Sequence, residues 1–240
     1  SDRFNFVVGV NQFQQEYSIG ERRNFFVSLN AATYSETEHD TFGVFGEINF
    51  NVTDALSVTA GGRWTKEEKS IDIGILGSCE LDFSSCTNNA SNEKDWSNFS
   101  PKVSAQYQFT DDMMAYASWT RGFASGVFNA RAATLDAVGP TNPESVDSLE
   151  VGFKTSFFDG RGIFNIAYFQ ADYEDLILFV NNPCDDCGAS LINFNAGEAE
   201  ISGFEAEVQL QPVDGLRLEA SIGTVDPEFT NIKYFDANAD

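Results

Sequence analysis

Short tight turns alternate with long polar connections along this chain, and the segments between them alternate apolar with polar residues. The turns read Thr53-Asp54-Ala55, Thr110-Asp111-Asp112, Asp159-Gly160-Arg161 and Pro212-Val213-Asp214-Gly215. The long connections run roughly over 18–39, 72–95, 123–144 and 180–195. Tight turns at one end and long loops at the other, joined by strands of period two, are the pattern of a transmembrane β-barrel. A helical membrane protein is excluded, because no stretch approaches the ~18 consecutive apolar residues of a spanning helix.

Period two predicts about nine strands, near 3–17, 40–52, 55–71, 96–110, 112–123, 144–158, 161–179, 195–211 and 215–225. Val103, Ala105, Tyr107 and Phe109 fall on one face, and Lys102, Ser104, Gln106 and Gln108 on the other. Leu149, Val151 and Phe153 oppose Ser148, Glu150 and Lys154. Phe204, Ala206 and Val208 oppose Glu205, Glu207 and Gln209, and Leu216 and Leu218 oppose Arg217 and Glu219. Alternation alone suits a soluble β-sandwich as well. Long strands, asymmetric connections and aromatics at strand ends favour the membrane. Phe50, Phe109, Phe157 and Phe164 sit beside the turns, and Trp64, Trp96, Trp119 and Tyr173 toward the long connections, as interfacial girdles require. Large outer-membrane transporters have 22 strands around a plugged lumen. The predicted fold is therefore all-β: an antiparallel up-and-down meander forming an arc of a 22-stranded transmembrane β-barrel.

Aromatics make up 14% of the 240 residues, with 23 Phe. The formal charge of −23 argues against nucleic acid, which needs a basic footprint. Cys79 and Cys86 share one long connection, and Cys184 and Cys187 another. Local pairs in polar loops point to two disulfides in an oxidising compartment. The alternative, a zinc site begun by Cys184-Asp185-Asp186-Cys187, needs further ligands, and His39 is the sole imidazole. The chain starts at Ser1 without a signal peptide and stops in what reads as a loop, so the expectation is a piece of a longer protein.

Tyr116-Ala117-Ser118-Trp119-Thr120-Arg121-Gly122-Phe123, followed by Gly126-Val127-Phe128-Asn129, resembles a stretch of TonB-dependent outer-membrane receptors. So do Pro143-Glu144 with Leu149-Glu150-Val151-Gly152-Phe153-Lys154, and Phe169 with Asp172-Tyr173-Glu174-Asp175-Leu176. Asn195-Ala196-Gly197 with Gly203-Phe204-Glu205, and Leu56–Trp64 upstream, complete the ordered set. The resemblance spans nearly the whole chain. It implies TonB-powered import of a ferric siderophore or similar iron complex, with cobalamin or an oligosaccharide as other cargo of the family. It implies outer-membrane lipid and the TonB complex as partners, the latter through a plug domain outside residues 1–240, which would be a partial barrel domain lacking its last strands. A passive porin-like channel and a soluble sandwich binding module are the competing readings.

No catalytic constellation, P-loop or zinc-protease motif occurs, and neither a cofactor nor a resident metal is expected. The candidate ligand contacts are Arg22, Arg23, Trp119, Arg121, Phe128, Asn129 and Arg131, because loop-side guanidinium and aromatic groups suit an anionic chelate.

Overall fold

The computed structural model describes residues 3–25, 29–184 and 188–232. Nine strands follow in chain order: β1 (Phe4–Phe25), β2 (Leu29–Asn51), β3 (Leu56–Cys79), β4 (Ala90–Thr110) and β5 (Met113–Ala124) come first. Then come β6 (Glu144–Phe157), β7 (Gly162–Cys184), β8 (Gly188–Val213) and β9 (Leu216–Ile232). Each strand pairs antiparallel with its sequence neighbours in one sheet, so the meander holds, and β1 and β9 are its edges among the described residues. All four predicted turns connect strands. Left-handed Asp159 and Gly160, at φ 54° and 80°, close the third, and Gly215, at φ 83°, closes the fourth.

The two faces separate as the alternation requires. Val8, Val103, Val151, Phe204 and Leu218 lie exposed on the apolar face, which is the lipid side of such an arc. The opposite face carries polar contacts. Lys102 pairs with Glu47 at 2.8 Å, Arg63 donates to Asn11 Oδ1 at 2.7 Å, and Tyr116 donates to Glu150 at 2.5 Å. Tight apposition on this sheet also needs glycine. A side chain at Gly203 would collide with the Thr224 carbonyl and the Phe169 ring.

The strands are longer than predicted, and this corrects the loop assignments. An apolar band ~25 Å tall, crossed at a tilt of about 40° with ~3.3 Å per residue, takes about ten residues. Yet β1, β2, β3 and β4 have 22, 23, 24 and 21 residues, and β7 and β8 have 23 and 26. Most of 18–39 is hairpin ladder, with Ser18 opposite Glu36 and Arg22 opposite Ala32. In the 180–195 segment β7 likewise continues to Cys184 and β8 begins at Gly188, with Val180 opposite Ile192. Above the lipid both faces meet water, so the apolar–polar alternation fades while backbone pairing continues. The apolar-band side of these extensions carries exposed carboxylates in register: Glu16 faces Glu38, Glu36 faces Asp72, and Asp40, Glu68 and Asp95 form one row across β2, β3 and β4.

The 72–95 connection shrinks to residues 80–89. Cys79 and Cys86 are disulfide-bonded across its base, with Cα atoms 4.1 Å apart, so this pair is not a zinc ligand pair. The proposed Cys184–Cys187 bridge lies outside the described residues.

Candidate functional site

β5 and β6 have only 12 and 14 residues and stop low, leaving a notch between the taller hairpins. The segment joining them, 125–143, does not rise. It folds onto the polar face of β3 and β4. Ile71 and Ile73 occupy odd positions of β3, the polar side in the membrane, and both are fully buried with Ala132 and Val138 of the segment. Phe128, Ala130 and Ala137 pack against this cluster, as do Ile75 and Ala90 from the wall. A single 3-10 turn, Asp136–Val138, shapes the segment. Its backbone is tied to the wall by Leu76 N, which donates to Ala132 O at 3.1 Å. Opposite Ile73 and Ile71 on β2, Ser35 and Thr37 are also buried, and their hydroxyls have no partner among the described residues.

Polar fastenings surround the apolar one. Glu67 of β3 accepts from Ser125 Oγ at 2.5 Å and lies 3.1 Å from His39 Nε2 and 3.7 Å from Lys69 Nζ. Lys69 also donates to Gly126 O at 3.1 Å and sits over the Trp96 ring. Burial pushes the Glu67 carboxyl up, but the Ser125 hydroxyl, Lys69 and His39 outweigh it and leave its pKa below the ordinary value. Burial lowers the Lys69 ammonium, and Glu67 offsets this only in part. Both groups lie beyond Trp64, above the apolar band. Gly126 has no room for a side chain, since a Cβ would collide with Thr141 O and sit 2.7 Å from the Trp96 ring.

A second charged group closes the outer side. Arg131 reaches Glu21 of β1 through Nε at 2.8 Å and Nη2 at 3.1 Å. Arg23 donates to Glu21 at 3.4 Å and to Arg131 O at 3.0 Å. Asn129 braces the turn, its Oδ1 accepting from Arg131 N at 3.0 Å. At the far end, Asn195 of β8 accepts from Asn142 N at 2.8 Å and donates to Asn142 O at 3.0 Å.

Of the sequence-derived candidates, Arg23, Phe128, Asn129 and Arg131 converge on this inward-folded segment. The other three stand apart on the lipid-side face. Arg22 stacks over Phe83 of the disulfide loop at 4.9 Å. Trp119 lies opposite Val103, and Arg121 pairs with Asp147. Trp96, expected in the outer girdle, instead faces inward, buried beside Phe128. Glu21, His39, Glu67, Lys69, Ser125 and Asn195 were missed. The available signal was the apolar pair Ile71 and Ile73 on a face otherwise polar, which marks where something must cover the wall.

Residues 2–240 match the family described as TonB dependent receptor-like, beta-barrel. Among curated relatives, the ferric-pyoverdine M114 receptor PbuA of Pseudomonas sp. (strain M114) is 26% identical over 75% of this chain and 20% of its own length. The ferripyoverdine receptor of Pseudomonas aeruginosa is 25% identical over 78% of this chain and 21% of its own. The chain thus spans about a fifth of the length of these relatives. In fold it resembles the crystal structure of the ferric yersiniabactin uptake receptor FyuA from Yersinia pestis, at TM-score 0.80 and 17% identity, covering 96% of this chain and 33% of that one. With its meander, its exposed apolar face and a match over nearly its full length, the chain belongs to the TonB-dependent receptor β-barrel family of the bacterial outer membrane.

Proposed function

We propose that the intact receptor captures an iron(III) chelate of the siderophore class at its outer mouth and imports it with energy delivered through TonB. The observation that carries this reading is the agreement of the curated relatives, named as ferric-pyoverdine receptors and matched along three quarters of the chain. The mouth groups suit such a cargo. Arg23 and Arg131 share the single carboxylate of Glu21, two guanidinium groups to one carboxylate. A guanidinium that exchanges a carboxylate partner for an anionic chelate keeps charge-assisted hydrogen bonds throughout. The plug and the contact with TonB belong to the rest of the protein.

The test is uptake of 55Fe(III)-pyoverdine by iron-limited cells expressing the full-length gene, with and without TonB. Uptake that requires TonB supports the reading. Equal uptake in both strains would point to a passive channel, and capture of cobalamin or an oligosaccharide in place of iron chelates would overturn the iron assignment.

A further inference from the structure

We infer that Asn195, with Glu144 beside it, is a positioning residue that fixes where the 125–143 segment leaves the sheet and ties its end to the β7–β8 hairpin. The backbone ladder between β6 and β7 stops at Ser145 opposite Glu174. Just beyond, β7 is bulged: its register to β8 shifts between Tyr173, Leu176 and Ile177, and Asp175 sits at a left-handed φ of 53°. A bulge strands backbone groups. Here side chains take them. Glu144 Oε2 accepts from Ile177 N at 3.0 Å, and Asn195 Nδ2 donates to Asp175 O at 2.7 Å.

The same Asn195 amide then turns to Asn142. Its Oδ1 accepts from Asn142 N, and its Nδ2 donates to Asn142 O. A primary amide that both gives and takes a bond with one residue reproduces a rung of β ladder. The segment's last residues are thereby paired to β8 through a side chain, with no strand of their own. Thr141, one residue back, passes the restraint on. Thr141 N donates to Val127 O at 3.0 Å, and Val127 N donates to Thr141 Oγ1 at 3.0 Å, which clasps both ends of the segment together. The anchor therefore joins the notch segment, whose core rests on β3 and β4, to the taller β7–β8 hairpin.

The consequence for capture rests on the receptor reading, and the experiment separates the two. In the full-length protein in detergent micelles, amide exchange is followed at Val127, Thr141, Asn142 and Ile177. Asn195→Ala should raise exchange at Asn142, Thr141 and Val127 at least tenfold while the Ser145–Phe157 amides keep wild-type protection. Asn195→Asp puts a carboxylate oxygen where the amide nitrogen stood, 2.7 Å from Asp175 O and 3.0 Å from Asn142 O, and the repulsion drives the side chain out of the site, so it should behave like the alanine variant. Glu144→Ala should free Ile177, whereas Glu144→Gln, which keeps an acceptor oxygen, should not. Wild-type protection of Asn142 and Thr141 in either Asn195 variant, or equal behaviour of the two Glu144 variants, overturns the inference. Binding of 55Fe(III)-pyoverdine to Asn195→Ala should weaken about tenfold, which is 1.4 kcal/mol at 25 °C. If the wild type does not bind this probe, the receptor's ligand assignment fails while exchange still decides the anchor.

Discussion

Truncating Ile73 to alanine should release the inward-folded segment without harming the barrel. Ile73 is fully buried, and its partners across the interface are side chains of the 125–143 segment. The change removes three carbons, and at ~0.8 kcal/mol per buried methylene it costs about 2.4 kcal/mol. That lies at the low end of the roughly 2–5 kcal/mol measured for large-to-alanine core truncations. The backbone of residue 73 remains paired with Ser35 and Ala90, so the loss falls on docking and not on the ladder. About 2.4 kcal/mol raises the undocked population about fiftyfold. Arg131 is an exposed trypsin site within the segment, and proteolysis of a rapidly reclosing region tracks its open population. Cleavage after Arg131 in intact receptor held in outer membranes should therefore accelerate about fiftyfold, with the heat-modifiable migration of the barrel unchanged. A wild-type cleavage rate in Ile73→Ala would refute the docking argument, and so would loss of the folded barrel.

Other perturbations read the same surface. Thr37→Val replaces a buried hydroxyl that has no partner among the described residues with a methyl of similar size, so it should slow that cleavage several-fold, consistent with ~1 kcal/mol for relieving an unsatisfied group. Burial pushes the Glu67 carboxyl up, but Ser125, Lys69 and His39 together leave its pKa lowered in the folded receptor, so the stability it lends is fully present above the ordinary value of 4.5 and fades as pH falls through the lowered value; thermal unfolding followed by heat-modifiable migration should become easier there, and Glu67→Gln should flatten that profile. Cys79→Ser opens a short loop worth about 2.5 kcal/mol by closure entropy, which should expose residues 80–85 to protease and leave barrel migration intact. Charge reversal at Arg131 should weaken capture of an anionic chelate, whereas reversal at Arg121, on the lipid-side face against Asp147, should not; equal effects would contradict the facing described here.

The membrane half of the fold was legible because lipid imposes a rule on every second residue. Val103 and Lys102, or Phe204 and Glu205, betray their faces with no further information. The turns were legible because Asp159-Gly160 and Asp214-Gly215 need special backbone angles. Above the membrane the rule lapses, and the paired extensions of β1 and β2 read as loop although they are ladder. The mouth was legible only in pieces. Phe128, Asn129 and Arg131 stood out by type, but Glu67 and Asn195 look like any strand polar residue until register brings Ser125 and Asn142 to them. The loop-side position of Arg121 does not tell which side of the sheet it occupies; register sets it with Asp147 on the lipid-side face.

The carboxylate rows on the tall hairpins have an electrostatic consequence. Directly opposed side chains on a sheet stand roughly 5 Å apart. Two full charges at that distance repel by ~0.8 kcal/mol in water, and more where protein lowers the local dielectric. Glu68 meets Asp40 on one side and Asp95 on the other, and Lys66 neutralises only part of that row. Mobile counterions therefore belong to the resting state of this wall. At physiological ionic strength the screening length is ~8 Å, comparable to the spacing of the row, while at 0.01 M it reaches ~30 Å and the repulsion spreads over all four strands. Repulsion within the outer rim should therefore be weakest in brine and strongest in fresh water, an effect confined to the solvated part of the strands.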